Sequence, residues 1–290
     1  MLHLAEVPVP EPGPGMVAVR VRAAGLNPYD AKVRDGFIAS DAPFPRRIGA
    51  DLAGTVEAVG ADATYWDGTP VAVGDEVLGS GAGAVAELAL AAASNLALRP
   101  PAVAAEVAGG LKVPGLTAVS CLRTLPLSPG DTVLVGGASG AVGLLVCQLA
   151  VRAGATVIGS AAPRNHDFVR SLGAEPVSYG EGLADRVSSL GPITAVIDCH
   201  GREALDAGVQ LGIPVDRMVA IAGYGAVKEL GVLNVERSAR TAENLAGLAE
   251  EIAEGRLLYP VAATFALDDV VEAFRALEGT HDPGKVVVLS

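Results

Sequence analysis

Four glycines lie between a short apolar run and a helical pattern, an arrangement typical of a phosphate-binding turn. Residues 132–135 form a β-branched apolar run, as expected of a strand buried on both faces. The glycines that follow it are Gly136, Gly137, Gly140 and Gly143. Because glycine has no Cβ, the main chain can approach a pyrophosphate closely there. The N-terminus of the next helix would offer free N–H groups and a positive dipole end to the same anion.

The elements around these glycines match the first half of a dinucleotide-binding βαβ unit. The helical pattern ends at Gly154, and a second predicted strand follows at 156–159. The G-x-x-G-x-x-G spacing differs from G-x-G-x-x-G, and 36 of 290 residues are glycine, so the triplet alone carries little weight. The alternative is a plain βαβ unit without a ligand. The predicted cofactor-binding loop comprises Gly137, Ala138, Ser139, Gly140, Ala141, Val142 and Gly143.

The end of the second predicted strand indicates which dinucleotide binds. NAD-specific sites place Asp or Glu there to hold the ribose 2′-hydroxyl. In this chain no acid occurs between residue 156 and Asp167. Ser160 can hydrogen-bond to a 2′-phosphate, and Arg164 can do so with charge assistance. The sequence therefore favours NADPH, and the alternative is that Arg164 only caps the surface of the next helix.

The composition argues against several classes of function. The net charge of −12 and the absence of a basic cluster argue against nucleic acid and anionic membrane surfaces. No signal-peptide pattern is present, and no apolar run reaches the roughly 18–20 residues of a membrane helix, so we expect a cytoplasmic protein. Cys121, Cys147 and Cys199 are expected to be buried free thiols. No Cys/His cluster has metal-ligand spacing.

Two styles of hydrophobic pattern divide the chain. Residues 1 to about 100 contain short alternating segments with Gly/Pro turns, as in a small β-barrel. Helical spacing follows from 102 to 125, with a break at Pro114-Gly115, and from Asp131 strands and helices alternate, which predicts a doubly wound parallel sheet. After Gly255 short elements return, including a strand at 285–289. The predicted strands of the parallel sheet are 132–136, 156–159, 176–178, 194–198, 217–222 and 231–235, and the predicted helices are 140–153, 164–172, 183–189, 202–211 and 239–254.

Seven motifs occur in an order that resembles a known superfamily. They are the proline-rich segment 6–15, Arg22-Ala-Ala-Gly-Leu-Asn-Pro-Tyr-Asp30, Gly49-Ala-Asp-Leu-Ala-Gly-Thr-Val-Glu-Ala-Val-Gly60, Val73-Gly-Asp-Glu-Val77, Gly115-Leu-Thr-Ala118, the glycine loop and Gly284-Lys-Val-Val-Val288. Together they resemble the medium-chain dehydrogenase/reductase superfamily, in its zinc-free, quinone oxidoreductase-like branch. The resemblance implies an α/β protein with a Rossmann NADPH-binding domain (102–254) and a GroES-like, mostly antiparallel β-barrel domain (1–101 and 255–290). It also implies a homodimer.

The positions of the zinc ligands in zinc-dependent relatives are changed in this chain. Those relatives place a cysteine near Asn27 and a histidine near Ala50, whereas an amide and a methyl group stand here. The four-cysteine structural lobe is also missing, so we expect no zinc. Without a metal to polarise a carbonyl, the easiest chemistry is hydride delivery from a reduced nicotinamide to a quinone or an enone, which spreads the developing negative charge.

By resemblance, the stretch that holds Asn27, Tyr29, Asp30 and Lys32 borders the nicotinamide. Asn27 and Lys32 could donate hydrogen bonds to the acceptor oxygen, and Asp30 could orient Lys32. The alternative is that Asn27 caps a helix while Asp30 and Lys32 form a solvated face.

The resemblance also places Thr117 near the nicotinamide, and Gly223 and Tyr224, which follow a predicted strand, are expected to border the nicotinamide end of the cleft. For Thr117 the alternative is a hydroxyl at a helix start. Tyr224 and Lys228 spell the Tyr-x-x-x-Lys of short-chain reductases, but there the pair sits on a helix, whereas we expect Tyr224 in a glycine-rich turn after a strand. His200, near the cofactor edge, is expected to be structural.

The sequence therefore predicts a zinc-independent, NADPH-dependent oxidoreductase that transfers hydride to a quinone or to the C=C bond of an α,β-unsaturated carbonyl. One alternative is a tailoring enoyl reductase for an elaborate or carrier-bound enone. Another is a low-turnover nucleotide-binding redox sensor or scaffold. The sequence identifies neither the acceptor nor the proton donor.

Overall fold

A computed structural model describes residues 2–9, 11–38 and 46–290, and of Tyr224 it describes only the backbone. Pro10 of the proline-rich segment lies outside the described residues. The chain divides into two compact units. Unit 1 comprises Met1–Val113, Thr241–Arg256 and Pro260–Ser290, and unit 2 comprises Pro114–Arg240 and Leu257–Tyr259. The domain boundaries at 102 and 254 stay predictions.

Thirteen strands and ten α-helices form the described part of the chain. The strands are β1 (Met16–Gly25), β2 (Asp51–Val59), β3 (Glu76–Ser80), β4 (Leu88–Ala92), β5 (Leu96–Leu98), β6 (Thr132–Gly136), β7 (Thr156–Ala161), β8 (Glu175–Ser178), β9 (Ala195–Asp198), β10 (Met218–Ala220), β11 (Leu233–Asn234), β12 (Val261–Ala266) and β13 (Lys285–Leu289). The helices are α1 (Pro28–Arg34), α2 (Ala105–Gly109), α3 (Lys112–Thr124), α4 (Gly143–Arg152), α5 (His166–Ser171), α6 (Leu183–Leu190), α7 (Glu203–Gln210), α8 (Tyr224–Leu230), α9 (Ala242–Ala253) and α10 (Val270–Glu278). None of these helices is long and apolar enough to cross a membrane.

Unit 1 is built on a mostly antiparallel sheet with the strand order β12-β13-β1-β2-β3-β5, and β4 pairs with β1. Among the described strands of this sheet, only β12 and β13 pair in parallel. The alternating residues Val17, Val19 and Val21 of β1 enter the core, as the period of two requires. The β1–β2 register shifts at two points, and a Cβ on Gly54 would lie 2.1 Å from the Arg20 carbonyl oxygen. Gly54 therefore permits the bulge that its position in the strand suggests.

The start of α1 is held against the last strand of the chain. The Leu26 N–H donates to the Val286 carbonyl oxygen at 3.0 Å. Leu26 and Ala31 also share a core cluster with Phe274 and Val286. This packing brings residues 27–30 beside the first residue of β13, although they lie near opposite ends of the chain.

Unit 2 contains a six-stranded parallel sheet with the order β11-β10-β9-β6-β7-β8. This is the predicted doubly wound Rossmann arrangement, and the strand order reverses between β6 and β9. The carboxyl ends of the strands share one edge, where ligands bind in such sheets. The fold class expected from the sequence is thus confirmed for both units.

Three local predictions were wrong. Helix α4 begins at Gly143 and not at residue 140, because residues 137–142 form the turn. Helix α3 runs through Pro114 without a break, since a proline in the first turn removes no needed donor. Tyr224 begins helix α8 and does not lie in a glycine-rich turn.

Candidate active site

Strand β7 holds the glycine loop of unit 2 in shape. The Ala138 N–H donates to the Ser160 carbonyl oxygen at 2.9 Å, and the Gly137 N–H donates to the Ser160 Oγ at 3.3 Å. Asn165 Nδ2 donates to Ser139 Oγ at 3.1 Å. Ser160 and Asn165 are both buried, so these bonds are shielded from water. The loop conformation is therefore set by the neighbouring strand, and Asn165 is a supporting residue that the sequence did not reveal.

The glycines of the loop serve different purposes. A Cβ on Gly143 would lie 2.1 Å from the Gly137 carbonyl oxygen, so the start of α4 packs directly on the loop backbone. At Gly140 the same oxygen is the nearest neighbour, at an ordinary 3.4 Å, and the space beyond is open. Among the described residues, none accepts the backbone N–H of Ala141 or Val142. An open glycine beside free N–H groups just before the start of α4 fits the pyrophosphate of a dinucleotide.

Asp198, at the end of β9, organises the next loop of the same edge. Its Oδ1 accepts the backbone N–H groups of His200 and Gly201 at 2.8 and 2.7 Å. Its Oδ2 accepts the N–H of Ala204 at 3.0 Å. The carboxylate thereby supplies acceptors to the first turn of α7. Sequence reasoning missed this residue, although an acid at the end of an apolar strand was a signal for it.

The loops after β6, β9 and β10 meet at this edge. A Cβ on Gly137, whose φ is +68°, would lie 2.9 Å from His200 Cβ. A Cβ on Gly223 would lie 2.4 Å from the Gly201 carbonyl oxygen. His200 therefore packs beside the glycine loop, and Gly223 lies close to the same loops. The Tyr224 side chain is outside the described residues.

Arg164 and Thr117 lie in different surroundings. Arg164 is exposed in the 3₁₀ turn Pro163–Asn165 that follows β7, so its guanidinium can move to meet a ligand. Thr117 is buried in the middle of α3, so the alternative of a hydroxyl at a helix start is wrong. Their contacts with a cofactor stay predictions.

In unit 1, Asn27 and Asp30 meet Asp51 and Lys285 in a buried polar cluster. Asn27 Nδ2 donates to Asp51 Oδ2 at 3.1 Å, and Lys285 Nζ donates to Asn27 Oδ1 at 2.5 Å. Lys285 Nζ also lies 3.7 Å from Asp51 Oδ2. The Asp30 Oδ2 accepts the Asn27 backbone N–H at 2.8 Å, and both Asp51 oxygens accept the Val113 N–H at 3.2 Å. Every charged group of the cluster is thus paired, as burial demands.

Burial shifts the pKa of each titratable member of the cluster. Desolvation raises the pKa of Asp30 to about 6, and the nearby Asp51 adds to this, while the Asn27 N–H and Lys285 oppose it. Desolvation also raises the pKa of Asp51 and lowers that of Lys285, against their mutual attraction. Two carboxyls and one ammonium therefore share a site with little water.

The structure divides the four residues expected to carry chemistry. Asp30 is buried, so its alternative assignment to a solvated face is wrong. Tyr29 is exposed by 52 % and can meet a ligand. Lys32 is partly exposed on α1, and the lysine that bonds Asn27 is Lys285. Asp51 and Lys285 were missed, although both lie within quoted motifs and Lys285 is the one charged residue of Gly284-Lys-Val-Val-Val288.

The thiols do not offer a reactive site. Cys121, Cys147 and Cys199 are free, as expected, and the first two are buried. Desolvation raises the pKa of Cys121 and of Cys147 to about 12, and it also raises that of Cys199. None of the described His, Cys, Asp and Glu side chains come together in a group of three or more that could hold a metal ion.

Two family models match the chain. The model described as alcohol dehydrogenase GroES-like domain matches residues 13–101, and the model described as zinc-binding dehydrogenase matches residues 172–288. The first match covers strands β1 to β5 of the antiparallel sheet, and the second begins just after α5 and ends within β13.

Similar proteins of comparable length are oxidoreductases by name. A chloroplastic quinone-oxidoreductase of Triphysaria versicolor is 32 % identical, over 99 % of this chain and 93 % of that protein. A chloroplastic NADPH-dependent alkenal/one oxidoreductase of Arabidopsis thaliana is 34 % identical, over 97 % of this chain and 73 % of that protein.

Some similar proteins are much longer, and some similar solved structures contain a cofactor. The spectinabilin polyketide synthase system protein NorB of Streptomyces orinoci is 31 % identical over 94 % of this chain, which spans only 13 % of NorB. The solved structure of a mycobacterial protein in complex with NADPH is 30 % identical, with a TM-score of 0.84, covering 99 % of this chain and 95 % of that one.

Proposed function

The chain belongs to the quinone oxidoreductase-like medium-chain dehydrogenases/reductases, and we propose that it is an NADPH-dependent reductase of quinones or of the C=C bond of α,β-unsaturated carbonyls. The observation that carries this proposal is the glycine loop after β6, which is open at Gly140 and has backbone N–H groups at Ala141 and Val142 that no described residue accepts. Relatives named for quinone and alkenal/one reduction support the reaction type.

NADPH is favoured over NADH by the end of β7. No carboxylate stands between residue 156 and Asp167, so nothing there repels a 2′-phosphate. The exposed Arg164 would pair with that phosphate, while Ser160 supports the loop and keeps its hydroxyl hydrogen available for one more bond. The similar NADPH complex supports this preference. When bound, the cofactor supplies the hydride.

Asn27 would donate a hydrogen bond to the oxygen of the acceptor. Its Nδ2 carries two hydrogens: one goes to Asp51, and the other makes only a long 3.4 Å contact with the Gly25 carbonyl oxygen. That second hydrogen is the one available to an oxygen that gains negative charge. Because Asn27 and Ala50 replace ligand residues, we propose that the reaction proceeds without zinc. The exposed Tyr29 ring would border the acceptor.

A second candidate is reduction of an enone held on a carrier. The similarity to a segment of a polyketide synthase system protein favours it, since such a segment would act on a tethered substrate. The two candidates share the same hydride transfer and differ in the size of the acceptor.

Acceptor panels test both candidates. NADPH oxidation should be followed by absorbance with simple quinones, small enones and an enoyl thioester, and the Gly140→Val variant serves as a control without a cofactor site. Turnover of small acceptors would support the first candidate, and turnover of the thioester alone would support the second. Tight NADPH binding with no turnover would refute both and favour a redox sensor or scaffold. Light scattering would check the proposed homodimer.

A further inference from the structure

Lys285 reaches the Asn27 amide through a slot that two glycines leave open. A Cβ on Gly25 would lie 2.9 Å from Lys285 Cε, and a Cβ on Gly110 would lie 2.6 Å from Lys285 Cγ. Gly110 has φ −100°, which any residue adopts, so the backbone conformation does not require a glycine here. The glycine is required because the Lys285 side chain occupies the place of a Cβ. The lysine stem is thereby guided through the interior of unit 1, and Lys285 is only 3 % exposed.

The ammonium and a carboxylate decide which way the Asn27 amide points. The nitrogen and oxygen of an amide have nearly the same size, so shape alone does not distinguish the two orientations. An ammonium can only donate and a carboxylate can only accept. Lys285 therefore requires Oδ1 on its side, at 2.5 Å, and Asp51 requires Nδ2 on its side, at 3.1 Å. The Val113 N–H in turn holds Asp51 in place.

The same ammonium strengthens the remaining N–H of Asn27 as a donor. A positive charge at Oδ1 withdraws electron density from the amide and polarises both of its N–H bonds. One of these is given to Asp51, and the other makes only the 3.4 Å contact with the Gly25 oxygen. The weakly bonded hydrogen would gain most from an acceptor oxygen on which charge develops, because charge-assisted hydrogen bonds are the stronger ones.

We propose that Lys285 is a positioning residue of the reductase: together with Asp51 it holds the Asn27 amide with an N–H directed at the oxygen of the quinone or enone, and its charge strengthens that donor. This role rests on the function proposed above. In the net reaction the acceptor gains a hydride from NADPH and a proton from water, and NADPH becomes NADP⁺. Lys285 itself transfers no proton.

The test must avoid leaving a lone buried charge. The titratable groups of the cluster are Asp30 on α1, Asp51 on β2 and Lys285 on β13, and Lys112 on α3 also acts on Asp51 through its charge. Removing Lys285 alone would strand the fully buried Asp51, which is strongly destabilising. The double variant Asp51→Asn/Lys285→Met removes both charges and keeps similar side-chain volumes.

The double variant should lower kcat roughly ten- to a hundredfold while KM and NADPH affinity stay within about twofold, because the polarised donor acts as charge develops. In an Asn27→Ala background the same two substitutions should lower kcat little further, since the side chain that Asp51 and Lys285 orient is already absent. Lys228→Met, at an exposed lysine outside the cluster, is the matched control and should retain wild-type kcat. A folded double variant with wild-type kcat, or equal losses in both backgrounds, would overturn the role of Lys285.

NMR tests the orientation of the Asn27 side-chain amide independently of turnover. The side-chain amide resonances of Asn27 are identified by their loss in Asn27→Ala. They should shift in the double variant and also in Gly110→Ala, whose new methyl group displaces the Lys285 stem without removing a charge. Unchanged Asn27 resonances in both variants would overturn the orienting role. If the wild-type protein reduces no acceptor while these resonances do shift, the proposed activity fails and the orienting contact stands.

Discussion

Asp30→Asn is expected to make the protein more stable above about pH 6 while leaving it nearly unchanged near about pH 4. Asp30 is buried, and desolvation raises the pKa of its carboxyl from 3.8 to about 6. The folded protein therefore holds this proton more tightly than the unfolded chain does. The stability linked to the proton is fully present below the unfolded pKa and is lost as the pH rises through the folded pKa.

The magnitude follows from the difference between the two pKa values. At about 1.4 kcal/mol per pKa unit, a rise from 3.8 to about 6 corresponds to roughly 3 kcal/mol in the free energy of unfolding. An asparagine cannot ionise, but its Oδ1 can still accept the Asn27 N–H that Asp30 accepts at 2.8 Å. The variant should thus gain up to about 3 kcal/mol over wild type above about pH 7. Asp51 and Lys285 are present in both proteins.

Urea unfolding of both proteins from about pH 4 to about pH 8 measures this difference. The difference in unfolding free energy should grow as the pH rises from the unfolded pKa of 3.8 to the folded pKa of about 6, reach half its full size about midway between them, and stay level above the folded pKa. Asp67→Asn is a control of opposite sign, because the Thr69 N–H lowers the pKa of the exposed Asp67 carboxyl. Its contribution is present above the unfolded pKa and is lost as the pH falls. A wild-type protein that gains stability relative to Asp30→Asn between pH 4 and pH 7 would refute the reasoning.

Gly140→Val should fold, because its Cβ would meet only the Gly137 oxygen at 3.4 Å, but it should abolish NADPH binding because the side chain occupies the space of the pyrophosphate. Gly143→Ala should instead lower the melting temperature, because its Cβ would lie 2.1 Å from the same oxygen. Circular dichroism and an NADPH titration on the same samples distinguish the two, and normal affinity in folded Gly140→Val would place the phosphates elsewhere. Arg164→Ala should weaken the binding of NADPH roughly ten- to a hundredfold and leave the binding of NADH almost unchanged. Equal losses of affinity for the two cofactors would contradict the phosphate contact. Dialysis against a chelator should leave activity and melting temperature unchanged, and stoichiometric zinc in protein purified without added metal would show that prediction to be wrong.

The parallel sheet and the glycine loop could be predicted because their signals are local. A β-branched run, a glycine turn and a helix lie within about twenty residues, and each element has its own hydrophobic period. The predicted starts of helices were less reliable where a contact within the folded chain determines them. Gly140 stays outside α4 because its N–H bonds to the Gly137 oxygen, and the segment from Tyr224 becomes helical despite its glycine.

The buried cluster was decided by the tertiary structure alone. From the sequence, Asn27 and Asp30 could be named as a polar pair at a helix start, because their three-residue spacing is a local pattern. Lys285, in contrast, lies 258 residues from Asn27, and no periodicity connects the two. They meet because β13 pairs with β1 and because Gly25 and Gly110 leave room for the lysine stem. Strand pairing over such a distance depends on the packing of the whole sheet, so the amide partner of Asn27 becomes visible only once that sheet has formed.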